Sequence, residues 1–383
     1  MARRQDDGSA RRSSPFRFEG PLEPEDLIGR HAETALLLDY AASGRAVSLA
    51  APRRYGKTSL LRQVGARFAA DCDAVVARVD LLGLDGPADF ATRFGTAWRR
   101  ATSEDRRLRS TVERALSRLA GFGVSLAGVG VQVSLERRGD PLTVLHTLLD
   151  LPRQVDRPVL VVLDEFQALH SAWSDGEGVL RGHVQEQLGA VSYIFAGSQP
   201  HLLEAAFADR GRAFYQQVLR VPLGRLGDAE LADGLADRFQ ATNRDPGGAL
   251  AMLIRLAAGH PQRAMFLAHL LWEDLAPGDR GDEESGARTV ERARRWVADE
   301  MVAVWSALTP AQQAALRGVN RYGSATLRSA AADGVARSTL AGARDHLLRQ
   351  GIAESTSEPG PRRGRRYRLV DPMLGDWISS RSG

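Results

Sequence analysis

Lysine is almost absent from this chain. Of its 51 basic Lys and Arg residues only one, Lys57, is lysine. Cysteine is equally scarce: the single Cys72 excludes an intramolecular disulfide and a cysteine-rich zinc site, which fits a reducing compartment and a cytoplasmic location. No apolar run is long enough to span a bilayer, so no membrane partner is expected. The opening MARRQDDGSARRSSPF carries arginines with no apolar segment behind them, unlike a secretory leader. Aromatic residues make up only 6%, yet hydrophobic residues reach 43% of 383 positions, enough for a sizeable core in two or three domains.

Charge is unevenly placed. The formal total is +4, but residues 301–383 hold twelve arginines against six acids, for +6, and the stretch Met1 to Arg17 carries +3. The body between them is therefore acidic, at −5. Basic ends on an acidic body suggest contact with a polyanion; an arginine-rich composition decorating solvated faces accounts for the same numbers.

Residues 1–21 are rich in Arg, Ser, Gly and Asp and read as a flexible basic arm. From residue 22 to 226, short apolar runs alternate with helical patterns: AVSLAA (46–51), AVVARVDLL (74–82), PVLVVLDEF (158–166), VSYIFAGS (191–198) and QVLRVPL (217–223). Strands apolar on both faces and separated by helices predict a parallel α/β sheet sandwiched between helices. GVSLAGVGVQVSLE (123–136) alternates with period two around a glycine turn and reads as an inserted β-hairpin. After residue 226 the strand signals stop. Helical patterns over 227–275 make a small helical domain, 276–288 is a polar linker, and 289–383 begins with a helix near Thr289 to Leu308. A helix opening at Pro310, two short helices (326–333 and 337–350) and two strands around a Pro/Gly/Arg loop follow. That is the order of a winged helix-turn-helix.

The lone lysine stands in a telling place. AVSLAAPRRYGKTSLLRQV puts a strand, a turn and a helix start around Gly56-Lys57-Thr58. Amide groups of such a turn and of the helix N-terminus make a concave anion site, Lys57 reaches terminal phosphates, and the Thr58 hydroxyl ligates Mg²⁺. The site residues expected from this P-loop are Pro52, Arg53, Arg54, Tyr55, Gly56, Lys57, Thr58 and Ser59, with Ala51 in place of the usual first glycine.

About a hundred residues on, PVLVVLDEF runs five apolar residues into Asp164 and Glu165 at a strand's carboxyl end, where open parallel sheets bind ligands. Asp164 suits Mg²⁺ and Glu165 suits the attacking water, although an Asp-Glu pair there also serves as a helix N-cap. VSYIFAG ends in Ser198, either a sensor of the terminal phosphate or a turn residue. Arg210 and Arg212 are solvated charges or an arginine finger for a neighbouring subunit. Arg263, in Gly259-His260-Pro261-Gln262-Arg263, reaches phosphate or is exposed.

DLIGRHAE (26–33), RRYGKTSLL, LDEFQAL, FAGSQ, GHP and the closing LVDPMLGDWI together resemble the archaeal-type P-loop ATPases related to the STAND and origin-initiator branches of the AAA+ superfamily, from about residue 24 to the end. The resemblance implies a P-loop ATPase core, a helical lid and a C-terminal winged helix. It implies that Lys57 and Thr58 bind ATP and Mg²⁺, that Asp164 and Glu165 form the Walker B pair, and that Ser198 takes the sensor-1 place, where such proteins often have Asn or Thr. It further implies that Arg212 is the finger of a homo-oligomer and that Pro261 and Arg263 belong to the lid motif.

In the C-terminal unit, Arg337 and Arg344 lie on the expected recognition helix, and Arg362, Arg363, Arg365 and Arg366 on the expected wing. Wing arginines grip phosphates, which makes duplex DNA one expected partner. The function expected is a Mg²⁺-dependent ATP-hydrolysing switch that positions this winged helix on DNA; the alternative is a STAND-like scaffold whose winged helix binds a protein.

Overall fold

The computed structural model describes residues 14–118, 124–127, 130–133, 141–324, 335–359 and 365–381. Two compact units divide the chain, one formed by Pro21–Gly224 with Leu348–Gly351, the other by Arg225–Leu347 and Ile352–Gly383 with the N-terminal residues up to Gly20. The helical segment after Arg225 and the C-terminal segment thus share one unit.

The five apolar runs form the first unit's sheet. Strands β1 (Ala46–Ala50), β2 (Val75–Asp80), β5 (Val159–Asp164), β6 (Val191–Gly197) and β7 (Leu219–Pro222) pair in parallel in the order β2-β5-β6-β1-β7. Every residue of β5 and β6 is buried. Helix α1 (His31–Ala42) leads into β1, and helices cross between the strands: α2 (Lys57–Cys72), α3 (Gly86–Ala101), α4 (Arg106–Arg118), α5 (Pro141–Leu149), α6 (Ala168–Ala172), α7 (Gly176–Gln187) and α8 (Pro200–Ala208). Such parallel pairing requires crossovers of this kind, and covering both faces explains why the strand sequences are apolar without alternation. The 123–136 segment contains β3 (Val124–Ala127) and β4 (Gly130–Val133), an antiparallel pair as its period-two pattern implies.

Below the acidic end of β5, Phe166, Phe195, Phe207 and Phe214 are fully buried, with ring centroids 4.7–5.9 Å apart. The chain turns beside Glu165 on this aromatic floor.

The second unit contains α9 (Asp228–Ala241), α10 (Ala249–Ala257), α11 (Pro261–Asp274), α12 (Glu283–Ser306), α13 (Pro310–Tyr322), α14 (Arg337–Arg349), the strands β8 (Ala353–Pro359) and β9 (Arg365–Leu369), and α15 (Pro372–Arg381). Two differences from the sequence reading have physical causes. The predicted linker 276–288 is cut short because Asp282 and Ser285 form a capping box that starts α12 at Glu283, six residues early. The predicted flexible arm is anchored at its end, where Phe16 is buried 4.6 Å from Phe239 and Phe18 lies 5.3 Å from Phe266. The closing LVDPMLGDWI motif runs from the end of β9 at Leu369 into α15, which packs on α12. Strands β8 and β9 pair antiparallel as expected, Glu354 opposite Arg368, whereas the predicted helix at 326–333 and the loop carrying Arg362 and Arg363 lie outside the described residues.

One ion pair fastens α15 to this unit. Arg263 on α11 is buried and forks onto Asp371, with Nε 3.1 Å from both carboxylate oxygens and Nη2 bonded to Oδ2, while Glu300 of α12 lies 3.1 Å from Nη2. Asp371 also accepts from the Met373 amide at 3.0 Å. Burial opposes ionisation of Asp371, but the Arg263 guanidinium overrides it and holds the carboxyl below the usual carboxylate range. A carboxyl depressed in the folded state contributes stability above its unfolded pKa, about 3.9 for Asp, and that contribution disappears as pH falls through the folded value. Asp371→Asn is expected to cost about 2–3 kcal/mol at pH 7, below the value for a fully orphaned buried charge because Glu300 remains. The loss should shrink toward pH 3 in denaturant titrations; a variant as stable as the parent at pH 7 contradicts the clamp.

Candidate functional site

Three segments that are far apart in sequence converge at the carboxyl ends of β1, β5 and β6. Strand β1 gives way to the turn Ala51–Gly56, and α2 starts at Lys57. Two residues of the turn take left-handed backbone angles, Arg54 at φ 68° and Gly56 at φ 82°. Gly56 is the residue for which that angle carries no steric cost. Alternating backbone handedness points successive amides into one concavity, and the first-turn amides of α2 have no intrahelical acceptors, so the turn is suited to an anion. The Ala51 amide donates to the Gly197 carbonyl at 3.2 Å, which ties the start of the turn to the end of β6.

Lys57 is buried, and its Nζ donates to Asp164 Oδ1 with Glu165 Oε1 3.5 Å away. Arg78 of β2 completes the charge balance with Nη2 3.0 Å from Asp164 Oδ2. Desolvation works against the ionised form of Asp164; Lys57, followed by Arg78, outweighs it and keeps the carboxyl below the normal range. Asp164 is therefore an anion across the physiological range.

Glu165 is held by different partners. Its backbone is left-handed, at φ 55°, an uncommon conformation for a residue with a Cβ. Its Oε2 accepts three hydrogen bonds, from the Ser198 hydroxyl at 2.8 Å, the Ser198 amide at 3.2 Å and Gln167 Nε2 at 2.6 Å. One carboxylate oxygen is thus anchored and the other faces Lys57. Ser198 touches Glu165 directly, a more specific position than that of a turn residue.

The other expected site residues fall into two groups. Thr58, half-buried, follows Lys57 in the first turn of α2; Arg53 and Arg54 are exposed on the loop and Pro52 is buried. Tyr55 is fully buried, and the Ser59 hydroxyl accepts from the Leu22 amide at 3.0 Å, so these two support the loop from behind. Arg212 is taken up by Glu177, a carboxylate only 4% exposed that it engages through both Nε and Nη2. Withdrawing Arg212 would strand a buried anion, so within the chain this pairing gives it a structural role. Arg263 is likewise neither exposed nor open to phosphate, being spent on Asp371 and Glu300, and Pro261 serves as the first-turn proline of α11 beside the His260 cap.

Sequence reading missed three residues. Arg30, left-handed at φ 63° and 3% exposed, donates to the Tyr55 carbonyl at 3.3 Å, the Gly224 carbonyl at 2.7 Å and Glu33 at 2.8 Å, bracing the loop. Its signal was the Gly29-Arg30 step before a helix. Arg78 was signalled by a charge inside the apolar run VVARVD, and Gln167 lies in the LDEFQAL motif, where nothing local marked its role.

In the second unit, Arg337, Arg365 and Arg366 are exposed. Arg344 pairs with Asp345 at 2.6 Å and stacks 5.4 Å from the Tyr367 ring, and Arg368 pairs with Glu354 at 2.6 Å.

No helix among the described residues is long and apolar enough to cross a membrane, and none of their His, Cys, Asp and Glu side chains form a group of three that could hold a metal ion. No protein-family model matches the chain, and no curated protein matches it in sequence. Its structure is similar to that of a Walker-type ATPase of Pyrococcus abyssi, with TM-score 0.64 and 18% identity over 95% of this chain and 99% of the other. It is also similar to the ORC2 protein of Aeropyrum pernix: in its ADP form, TM-score 0.54 and 15% identity over 96% and 95% of the two chains; in its ADPNP-ADP complexes, TM-score 0.50 and 16% identity over 96% and 98%. Identity this low speaks for the fold alone: the chain shares the α/β fold of these structures, with a five-stranded parallel sheet in the order β2-β5-β6-β1-β7.

Proposed function

We propose that this protein binds ATP with Mg²⁺ at the turn Ala51–Thr58, hydrolyses it, and uses the nucleotide state to set a C-terminal winged helix on duplex DNA. The observation that carries the ATPase reading is the convergence of Lys57, Asp164, Glu165 and Ser198 at the carboxyl ends of adjoining strands. Lys57 supplies a buried positive charge at the mouth of the turn, and Asp164 and Glu165 supply carboxylates beside it for a metal ion and for water.

The donor set fits the cofactor. The Thr58 hydroxyl and the Asp164 carboxylate are hard oxygen donors of the kind Mg²⁺ takes alongside water and phosphate oxygens. Bound Mg²⁺ would supply neutralisation of phosphate charge. Lys57 contributes its charge to the terminal phosphates, and the amides of the turn orient them. Glu165, anchored through Oε2, orients water through Oε1 and takes its proton as the water oxygen bonds to the terminal phosphorus and the bond to the ADP oxygen breaks. Self-association draws no support from Arg212, whose guanidinium is spent on Glu177.

The DNA part rests on charge. Residues 301–383 carry +6 against an acidic body, with Arg337, Arg365 and Arg366 exposed and Arg362 and Arg363 in the intervening loop sequence. A second reading, in which this unit binds a protein, is favoured by the pairing of Arg344 with Asp345, which removes one charge from the phosphate-facing set, and by the neighbouring pair of Arg368 with Glu354.

Lys57→Ala should abolish ATP binding in calorimetry, whereas Glu165→Gln should retain it and lower turnover about 10²-fold or more. Unchanged ATP affinity in the first variant, or unchanged turnover in the second, rejects the corresponding role. Replacing Arg362, Arg363, Arg365 and Arg366 with alanine should weaken duplex DNA binding alike across sequences. It should also flatten the plot of log affinity against log salt by about 0.9 for each phosphate no longer neutralised. No affinity of the parent protein for duplex DNA at low salt, with or without ATP, would replace the DNA reading with the protein-partner reading.

A further inference from the structure

Gln167 lies two residues past Glu165 and donates its side-chain nitrogen to Glu165 Oε2 at 2.6 Å. Its side-chain oxygen is buried and has no hydrogen-bond partner among the described residues. The reverse amide orientation would set that oxygen against the carboxylate, so the donor side must face Glu165 and the oxygen is forced inward. It is aimed at Gly197, the last residue of β6: a Cβ built there would stand 2.3 Å from Gln167 Oε1. Gly197 has no left-handed backbone angle to explain the glycine. A Cβ there would have to displace the Gln167 amide, with Leu203 Cδ2 also 3.3 Å away, and the Cα hydrogens give the trapped oxygen at most a weak donor.

An orphaned buried carbonyl lowers stability, and a leucine at position 167 would fill similar space without it. The benefit of a glutamine must therefore lie at its other end, on the carboxylate. There it joins the Ser198 amide and hydroxyl, so that three donors converge on one oxygen of a residue whose backbone is already held left-handed. Fixing Oε2 fixes the plane of the carboxylate and hence the direction of Oε1.

We propose that Gln167 is a positioning residue that orients the Glu165 carboxylate together with Ser198, and that position 197 is glycine in order to admit it. This rests on the reading of Glu165 as the group that takes the proton from water. Gln167 touches no phosphate and acts only through Glu165. Gly197 acts one step further back, through Gln167.

The test is a set of variants measured for ATP turnover, ATP affinity and thermal midpoint of the nucleotide-free protein. Gln167→Leu should lower kcat roughly tenfold to hundredfold, leave the Kd for ATP within about twofold, and leave the midpoint equal or higher. In a Glu165→Gln background the same substitution should remove nothing further. Gly197→Ala should lower both midpoint and kcat, and the double variant Gly197→Ala, Gln167→Ala should regain the midpoint but not the turnover. Wild-type or raised kcat in Gln167→Leu overturns the proposal, as does an equal further loss in the Glu165→Gln background or a Gly197→Ala variant with an unchanged midpoint. Failure of the underlying reading looks different: Glu165→Gln itself would then turn over at the parent rate, whatever Gln167→Leu does.

Discussion

Lys57 and Asp164 lie 107 positions apart, and both side chains are nearly closed to solvent. Burying either charge alone would be prohibitive, so each is tolerable only because the other is present, with Arg78 as a third member. This ion pair requires β1 and β5 to end at the same level, with β6 between them. That in turn puts Ser198 beside Glu165 and the Ala51 amide beside the Gly197 carbonyl. The same pair explains why position 57 departs from the arginine used at every other basic position. An ammonium is a compact point charge with three donors, whereas the planar fork of a guanidinium suits bidentate pairing, as Arg212 and Arg263 illustrate on Glu177 and Asp371.

The two carboxylates at the end of β5 are neighbours in sequence and opposites in environment. Asp164 is gripped by cations, while Glu165 is gripped by neutral donors on one oxygen with a single cation 3.5 Å from the other. Under the proposed ATPase reading, a cation-bound carboxylate is the one that exchanges charge partners when phosphate binds. A carboxylate held by hydrogen bonds keeps its direction through the same event, and direction is what proton abstraction from water demands.

Much of this was legible in the chain. The five strands announced themselves because a sheet covered on both faces must be apolar without alternation, and Gly56-Lys57-Thr58 and Asp164-Glu165 were visible because each stands where such a strand ends. What escaped were the partners of arginines. Nothing local in ADRGRAF or GHPQR distinguishes an arginine facing phosphate from one locked to a buried acid, and Glu177 and Asp371 lie 35 and 108 positions away. Gln167 was invisible for the same reason: its meaning depends on Gly197, on another strand. The start of α12 was misplaced by a different cause, a capping box in a stretch whose Gly and Asp content reads as linker.

The proposal that Lys57 serves a phosphate site with Thr58 and Asp164 on its metal side is tested most directly by a crystal structure with Mg²⁺ and a non-hydrolysable ATP analogue. Lys57 Nζ should then have left Asp164 for the terminal phosphates, with Thr58 and Asp164 on the metal side and Glu165 Oε2 still bonded to Ser198. Nucleotide seated elsewhere, with the Lys57–Asp164 pair intact, would contradict it.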